Sequence, residues 1–256
     1  MVKPQKEFQI DKLRVKIYQN RQSLGEAAAL AVRERISALL KEKNEIRMIF
    51  AAAPSQNELL KTLSEIAGID WSRITAFHMD EYLGLPGDAP QGFGNFLRMG
   101  LFEKVPFKLV HYLNPTPADI RAECHRYATL LNEAAIDIVC MGIGENGHVA
   151  FNDPPVADFD DPETVKVVEL DEVCRQQQVN DGAFANIMEV PSQALTLSVP
   201  TLMSGGALFV VVPGPTKTQA VHRTLVGPIA TDCPASILRQ HPDAVLYLDR
   251  DSATRI

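Results

Sequence analysis

An apolar stretch in the middle of the chain runs into a cluster of side chains that could transfer protons. The stretch ends in glycines that include Gly144. His148 follows, with Asn146 two residues before it and Asp153 five residues after it. Glycine lets the backbone turn sharply beside a ligand, and histidine is the side chain best suited to move protons near neutral pH. The pattern favours a catalytic turn; the alternative is a connecting turn in which His148 is merely hydrogen-bonded.

A second polar cluster follows another short apolar run and contains Asp80 and Glu81. A carboxylate at such a position could act as a base, although adjacent carboxylates after a strand often only cap the next helix. The spacing of His78 and Asp80 would also suit two ligands of a metal ion. No second pair with ligand spacing follows, so the sequence predicts no metal site.

The placement of four polar side chains supports a shared site. Ser55, Asp80, His148 and Lys217 each come just after a predicted strand. The carboxyl ends of parallel strands share one edge of a sheet, so residues distant in sequence can meet there. We therefore expect these four side chains to surround one pocket.

The elements that must position this pocket alternate between strand and helix patterns. Predicted strands cover residues 13–18, 46–51, 74–77, 136–141, 165–170, 208–212 and 245–248. Predicted helices cover residues 24–41, 55–66, 95–102, 117–134, 200–204 and 217–225. Ser55 and Glu58 have the spacing of a capping box, which predicts a helix start at Ser55. The alternation predicts a three-layer α/β/α Rossmann-like fold with a mostly parallel central sheet, formed by one domain over residues 1–256.

The amino-acid composition limits which kinds of binding partner and which cellular compartment are expected for the protein. The chain has 256 residues, 46% of them hydrophobic, and a formal net charge of -7. This charge argues against nucleic acid and anionic membranes as partners. The polar N-terminal segment does not resemble a signal peptide, and no apolar run is long enough to span a bilayer. Scattered cysteines without a CxxC pair predict reduced thiols in a cytoplasmic protein; they are Cys124, Cys140, Cys174 and Cys233.

The segments MDEYLGLP (79–86) and GIGENGHVAFNDP (142–154) resemble the glucosamine-6-phosphate deaminase (isomerase) family. Later segments continue the likeness in the same order, at residues 194–202, 208–217 and 234–242. Several ordered motifs are more specific than a single glycine pattern. The related 6-phosphogluconolactonases share the fold, but they usually carry arginine at the position of Tyr82. They also usually read threonine-alanine-serine after the histidine, where this chain has Val149, Ala150 and Phe151. Both positions favour the deaminase branch.

The resemblance implies an enzyme that opens a cyclic amino-sugar phosphate, moves a proton between C2 and C1, and releases ammonia to leave a ketose phosphate. By the same resemblance, Asp80 is the base, His148 is the ring-opening acid–base residue, and Asp153 orients the His148 ring. Glu81 is expected to stabilise the turn in which it lies and to contact the substrate. No metal or organic cofactor is implied. The expected substrate-binding residues are Ser55, Gln56, Glu81, Gly144, Arg175 and Lys217.

The chain departs from the family pattern at several of these positions. Asn146 stands where the family has a relay aspartate, so Asn146→Asp is expected to speed turnover. Residues 51–56 replace a glycine- and threonine-rich phosphate loop. The phosphate-binding arginine falls near Gln177 or Gln178, with Arg175 the closest cation. Because of these departures, two other functions stay open: a lactonase-type hydrolase and a sugar-phosphate-binding protein without turnover. Several family members form oligomers, which leaves a homo-oligomer open too.

Overall fold

The structure, a computed structural model, describes residues 2–256. The described residues form eleven strands: β1 (Lys6–Ile10), β2 (Leu13–Tyr18), β3 (Ile46–Phe50), β4 (Ile74–His78), β5 (Asp80–Tyr82), β6 (Leu109–His111), β7 (Ile138–Met141), β8 (Val165–Glu169), β9 (Gln193–Leu197), β10 (Ala207–Val212) and β11 (Ala244–Asp249). They also form seven α-helices: α1 (Arg21–Glu42), α2 (Asn57–Glu65), α3 (Phe93–Leu97), α4 (Ile120–Asn132), α5 (Glu172–Asn180), α6 (Val199–Met203) and α7 (Thr218–Val226).

Eight of the strands form the central sheet in the order β1-β2-β11-β10-β7-β3-β4-β6. Only β1 runs antiparallel, and it pairs with β2; the other pairs are parallel. Every residue of β3, β7 and β10 is buried, as expected for strands that are covered on both faces. The predicted mostly parallel sheet is confirmed. Three of the five residues of β1 are polar and exposed, and only Phe8 and Ile10 are half-buried, so its strand signal is weak.

Helices cover both faces of this sheet and create two separate cores. Alternate residues of a strand point to opposite faces, so Met48 and Phe50 of β3 pack with α1 and α2. Ile49 of β3 packs instead with Tyr127 of α4 and Val221 of α7. The three layers of the predicted fold are therefore present. Within the described residues, no helix is long and apolar enough to span a membrane.

A second, three-stranded sheet was not predicted and lies beside the central sheet. Its order is β5-β9-β8, with both pairs antiparallel. Asp80 of β5 is paired with Thr196 of β9, so this small sheet determines where the Asp80 carboxyl lies. Tyr82, Phe151 and Phe184 belong to the apolar cluster that supports it.

The predicted helix starts at Ser55 and Lys217 precede the observed starts, by two residues and by one, and for the same reason. Both residues lie in a short 3-10 turn, Pro54–Gln56 before α2 and Pro215–Lys217 before α7. No side chain caps α2, and the predicted capping partner Glu58 instead accepts from Arg21 Nε at 2.7 Å. The tight turns hold Ser55 and Lys217 at the edge of the sheet.

Candidate active site

One cavity lies at the carboxyl ends of β3, β4, β7 and β10, where the sequence places its polar clusters. The cavity encloses about 60 Å³ and adjoins a groove of about 410 Å³, with which it shares Phe93, Gln178 and Asp181. Its polar lining consists of Ser55, Gln56, Asp80, Gly144, His148, Gln177, Gln178, Asp181 and Lys217. The expected meeting of Ser55, Asp80, His148 and Lys217 around one pocket is confirmed.

His148 is backed by a buried carboxylate. Its Nδ1 lies 2.8 Å from Asp153 Oδ1, and Asp153 is fully buried. Burial alone would raise the pKa of Asp153, but the contacts with His148 and Asn146 outweigh burial and leave this pKa below its ordinary value. Asp153 is therefore a carboxylate at neutral pH. A proton on Nδ1 faces that charge, and this leaves His148 Nε2 as the proton acceptor towards the cavity.

Asn146 contacts the carboxylate and not the imidazole ring. Its Nδ2 donates to Asp153 Oδ1 at 2.8 Å, and its Oδ1 accepts from the backbone N–H of His148 at 2.9 Å. The side chain thus joins the two ends of the turn that carries His148 and Asp153. Its amide N–H donates to Asp153, which an ionised aspartate cannot do, and the expected relay role of residue 146 stays a prediction that the turnover of Asn146→Asp decides.

Gly144 is required by the close approach of the His148 ring. A Cβ atom at residue 144 would lie 2.1 Å from His148 Nε2, far inside van der Waals contact. The backbone N–H of Gly144 donates to the His148 carbonyl at 2.9 Å, so the backbone cannot move aside easily. The conformation of the turn and the position of the His148 ring therefore depend on each other.

Gly144→Ala should displace the His148 ring or the turn. We expect a loss of about 1–3 kcal/mol in the free energy of unfolding, the usual cost of overpacking, measured by urea denaturation. Gly87→Ala is the matched control, because no atom lies within 4 Å of a Cβ added at residue 87. Equal stabilities for the two variants would show that the ring is not held against the turn.

Asp80 presents a buried carboxyl group to the cavity. The residue is 6% exposed, and no group among residues 2–256 forms a hydrogen bond with its Oδ1. Burial, and to a lesser degree the charge of Glu81, holds the pKa of Asp80 well above its ordinary value. A carboxyl that is buried without a partner is a costly arrangement, which makes Asp80 a candidate for a functional group.

Glu81 does not reach the cavity, so its expected contact with substrate is not formed. Its Oε1 accepts from the backbone N–H groups of Tyr82 and Phe93, both at 3.0 Å. Its Oε2 accepts from the backbone N–H of Gly94 at 2.8 Å. Burial raises the pKa of Glu81 against the opposing effect of these bonds. Glu81 supports the turn and the start of α3.

His78 is a core residue and not half of a metal pair. Its Nε2 accepts from the backbone N–H of Leu113 at 2.9 Å, and its Nδ1 lies 2.9 Å from the carbonyl of Asp80. Both ring nitrogens are thus used, and burial lowers the pKa of His78 to about 4. The alternative of a metal bound by His78 and Asp80 has no free donor on the histidine.

Lys217 brings a positive charge to the cavity. The residue is 7% exposed, and no carboxylate among residues 2–256 forms an ion pair with it. Burial lowers the pKa of Lys217, while Asp181 and Glu145 oppose this effect at longer range. A buried cation without a direct partner is prepared to bind an anionic group.

Amide side chains complete the polar wall beside Lys217. Gln56 Nε2 donates to Ser55 Oγ at 3.0 Å and to the Val211 carbonyl at 3.2 Å. Gln178 Oε1 accepts from the Tyr82 hydroxyl at 2.7 Å, which turns its amide N–H groups away from Tyr82. From the sequence, Gln177 and Gln178 are known only as the positions where the family has a phosphate-binding arginine. Asp181 was not among the predicted site residues.

Arg175, for which the sequence predicts a contact with substrate, does not line the cavity. Its Nη2 donates to the carbonyls of Ile187 and Val190, at 2.7 and 3.0 Å. Gln177 and Gln178 lie on the face of α5 that lines the cavity. Arg175 therefore holds the loop that follows α5.

Arg175→Ala should separate loop stability from ligand binding. We expect a lower melting temperature, because two backbone carbonyls lose their donor, and an unchanged KM for a sugar phosphate. Thermal unfolding and initial-rate kinetics on the same preparation measure both quantities. A large rise in KM without a change in melting temperature would place Arg175 in the site after all.

A family model described as glucosamine-6-phosphate isomerases/6-phosphogluconolactonase matches residues 19–247. The chain belongs to this family. A glucosamine-6-phosphate deaminase of Listeria innocua is 34% identical to it over 210 residues, which are 82% of this chain and 88% of that protein. One from Exiguobacterium sibiricum is 36% identical over 186 residues, 73% of this chain and 72% of that protein.

Solved structures of family members share the fold. A monomeric glucosamine-6-phosphate deaminase, described as a missing link of the NagB superfamily, superposes with a TM-score of 0.85 at 29% identity, over 94% of this chain and 98% of that one. The 6-phosphogluconolactonase of Thermotoga maritima superposes with a TM-score of 0.76 at 20% identity, over 93% and 100%. The second likeness concerns the fold alone.

Proposed function

We propose that the protein is a glucosamine-6-phosphate deaminase: it converts an amino-sugar phosphate to a ketose phosphate and ammonia. One observation carries the proposal. The His148 ring, backed by Asp153, and the buried carboxyl of Asp80 line one cavity together with the ammonium of Lys217. Two proton-transfer groups and a cation thus surround the space that one sugar phosphate would occupy. The deaminase relatives described above support the choice of reaction.

His148 catalyses ring opening. Its Nε2 takes the proton of the C1 hydroxyl and returns it to the ring oxygen, which breaks the C1–O bond and leaves an aldehyde. Asp153 holds the ring in the required orientation, because its Oδ1 lies 2.8 Å from Nδ1. The negative charge of Asp153 also favours the imidazolium that forms between the two steps.

Asp80 transfers the proton between C2 and C1. As a carboxylate it takes the C2 proton of the open sugar while the C1 oxygen gains a proton from water, which gives an enolamine with a C1 hydroxyl. Asp80 then delivers its proton to C1, and the amino group becomes a C2 iminium. The iminium reacts with water to give the ketose and ammonium, so the proton taken up at the C1 oxygen leaves with the nitrogen. The carboxyl is fully available for this task, since Oδ1 has no partner in the described chain.

The phosphate group of the substrate is assigned to the Lys217 side of the cavity. Lys217 supplies the charge, and Ser55 and the amide of Gln178 supply hydrogen bonds. No metal or organic cofactor takes part in these steps, because each is a proton transfer or an addition of water. The four cysteines are free thiols, which supports a cytoplasmic location. A homo-oligomer remains a prediction, and sedimentation equilibrium measures it.

Asn146→Asp tests the arrangement behind His148. The new carboxylate would face Asp153 where an amide N–H now donates, and loss of a hydrogen bond to a charged group costs about 1.5–3 kcal/mol. We expect lower turnover and a lower free energy of unfolding, measured by ammonia release and urea denaturation. Asn44→Asp, at an exposed position, is the control. Faster turnover in Asn146→Asp would restore the relay role inferred from the family pattern.

A coupled assay tests the proposed reaction against the alternatives. Ammonia release is measured with glucosamine 6-phosphate and with its galactosamine epimer, and acid release with 6-phosphogluconolactone. We expect ammonia from an amino-sugar phosphate and no hydrolysis of the lactone. Acid release without ammonia would indicate a lactonase, and binding without either product would indicate a protein without turnover.

A further inference from the structure

A third side chain with a donor atom lies behind the ring of His148. Cys174 is buried in the first turn of α5, where its backbone N–H donates to Asp171 Oδ1 at 2.7 Å. Its Sγ, a carboxylate oxygen of Asp153 and a ring nitrogen of His148 all lie within 4.8 Å of one another. The steps proposed above do not use this thiol.

Two atoms of this group have unused bonding capacity. Asp153 Oδ2 is buried and has no aligned hydrogen bond among residues 2–256, although the Cys174 thiol lies close enough to interact with this carboxylate. His148 Nδ1 lies close to Asp153 Oδ1, but the contact is not aligned as a hydrogen bond. Buried polar atoms are nearly always satisfied, and each exception requires an explanation.

We propose that His148 Nδ1, the carboxylate of Asp153 and Cys174 Sγ form a binding site for a thiophilic divalent cation of the Zn²⁺ class, and that the bound cation inhibits the enzyme. One nitrogen, one oxygen and one sulfur donor are the ligand types that zinc prefers, and three protein ligands leave a fourth position for water. Two of its three ligands, His148 and Asp153, also serve the proposed reaction, but none of the proposed steps requires a metal.

The geometry requires small movements. Donor atoms around tetrahedral zinc are about 3.3–3.8 Å apart when metal–ligand distances are ~2.0–2.3 Å. The contact of 2.8 Å between Nδ1 and Oδ1 must therefore widen, and the sulfur must approach both atoms. The first movement separates two atoms whose contact is not aligned as a hydrogen bond, and the second brings the sulfur to the position of a ligand.

Metal binding changes the protonation of the ring. The cation replaces the proton of the Cys174 thiol, which leaves to solvent, and takes the place of the Nδ1 proton of neutral His148, which is relocated to Nε2. Nε2 can then no longer accept a proton from the C1 hydroxyl. Inhibition follows from this step and therefore rests on the proposed function, whereas metal binding does not.

Binding is tested on the whole protein without substrate, so that the result does not depend on the reaction. The protein is stripped with a chelator, dialysed and titrated with Co²⁺, whose bond to a thiolate gives a charge-transfer absorption in the near ultraviolet. We expect this absorption in the wild type and in Cys124→Ser, whose thiol lies on α4, and not in Cys174→Ser. Zn²⁺ should then displace Co²⁺ and abolish the signal. No thiolate band in the wild type, or the same band in Cys174→Ser, would overturn the proposal.

Inhibition is tested with buffered Zn²⁺ in the ammonia assay. The Zn²⁺ concentration for half inhibition should rise more than roughly tenfold in Cys174→Ser, since even the loss of a group that only supports a metal ligand costs this much. Cys124→Ser should behave as the wild type, and a chelator should restore activity in both. Equal inhibition of all three proteins would contradict the assignment to Cys174. If Cys174→Ser does not fold, Cys174→Ala serves in both experiments.

Discussion

Asp80→Asn is expected to lower turnover by about 10²–10⁴-fold, the usual contribution of a general base. The amide has nearly the same shape but cannot take the C2 proton. Affinity for the sugar phosphate should change little, because the phosphate is held on the Lys217 side of the cavity. The rate of ammonia release and the dissociation constant are measured together. Asp88→Asn, at an exposed acidic position, is the control and should match the wild type.

The pH dependence of the wild type should identify the same residue. Asp80 acts only as a carboxylate, and its pKa is raised well above the ordinary value. Turnover should therefore fall as the pH decreases through this raised pKa, at a higher pH than for an ordinary carboxyl group. Turnover that persists down to the ordinary carboxyl range would show that Asp80 is not the base.

Lys217→Met is expected to weaken binding and to stabilise the protein without ligand. Loss of a hydrogen bond between a charged donor and the phosphate costs about 1.5–3 kcal/mol. Burial lowers the pKa of Lys217, so the unfolded chain binds more protons between this lowered pKa and the ordinary value. Stability of the wild type therefore rises with pH across that window. Methionine removes the buried charge, so the variant should be more stable below the window and should lose the slope.

Calorimetric titration with the sugar phosphate and thermal unfolding across pH measure the two effects. Lys61→Met is the control, because Lys61 is exposed on α2. Unchanged affinity in Lys217→Met would place the phosphate elsewhere in the cavity. Lower stability at every pH would show that the ammonium has a partner that stabilises the fold.

The central strands and the position of the site are the parts that sequence reasoning predicts best. β3, β7 and β10 are buried on both faces. β7 and β10 are continuous apolar runs, and Arg47 is the one polar residue of β3, so the local sequence is enough to predict these strands. Because such strands are parallel, the residues that follow them must meet at one edge. Residues 165–170 are a predicted strand, but the second sheet was missed because β5 is very short and pairs across more than a hundred residues, as Asp80 does with Thr196.

The errors at individual site residues have a common cause. Whether Arg175 or Gln177 faces the cavity depends on the rotation of α5 about its axis, and polar residues on all sides give no indication of that rotation. The partners of Glu81 are the backbone N–H groups of Phe93 and Gly94, which have no sequence signature. The orientation of the Asn146 amide likewise follows from its hydrogen bond to Asp153, a contact that the sequence pattern does not reveal.

The stoichiometry of products from glucosamine 6-phosphate tests the central claim most directly. Ammonia and ketose phosphate are measured together in the presence of a metal chelator, for the wild type and for Asp80→Asn. We predict one ketose phosphate for each ammonia in the wild type, and a rate lowered in Asp80→Asn by the factor given above. Binding of the sugar phosphate without either product, or equal rates in the two proteins, would contradict the assignment.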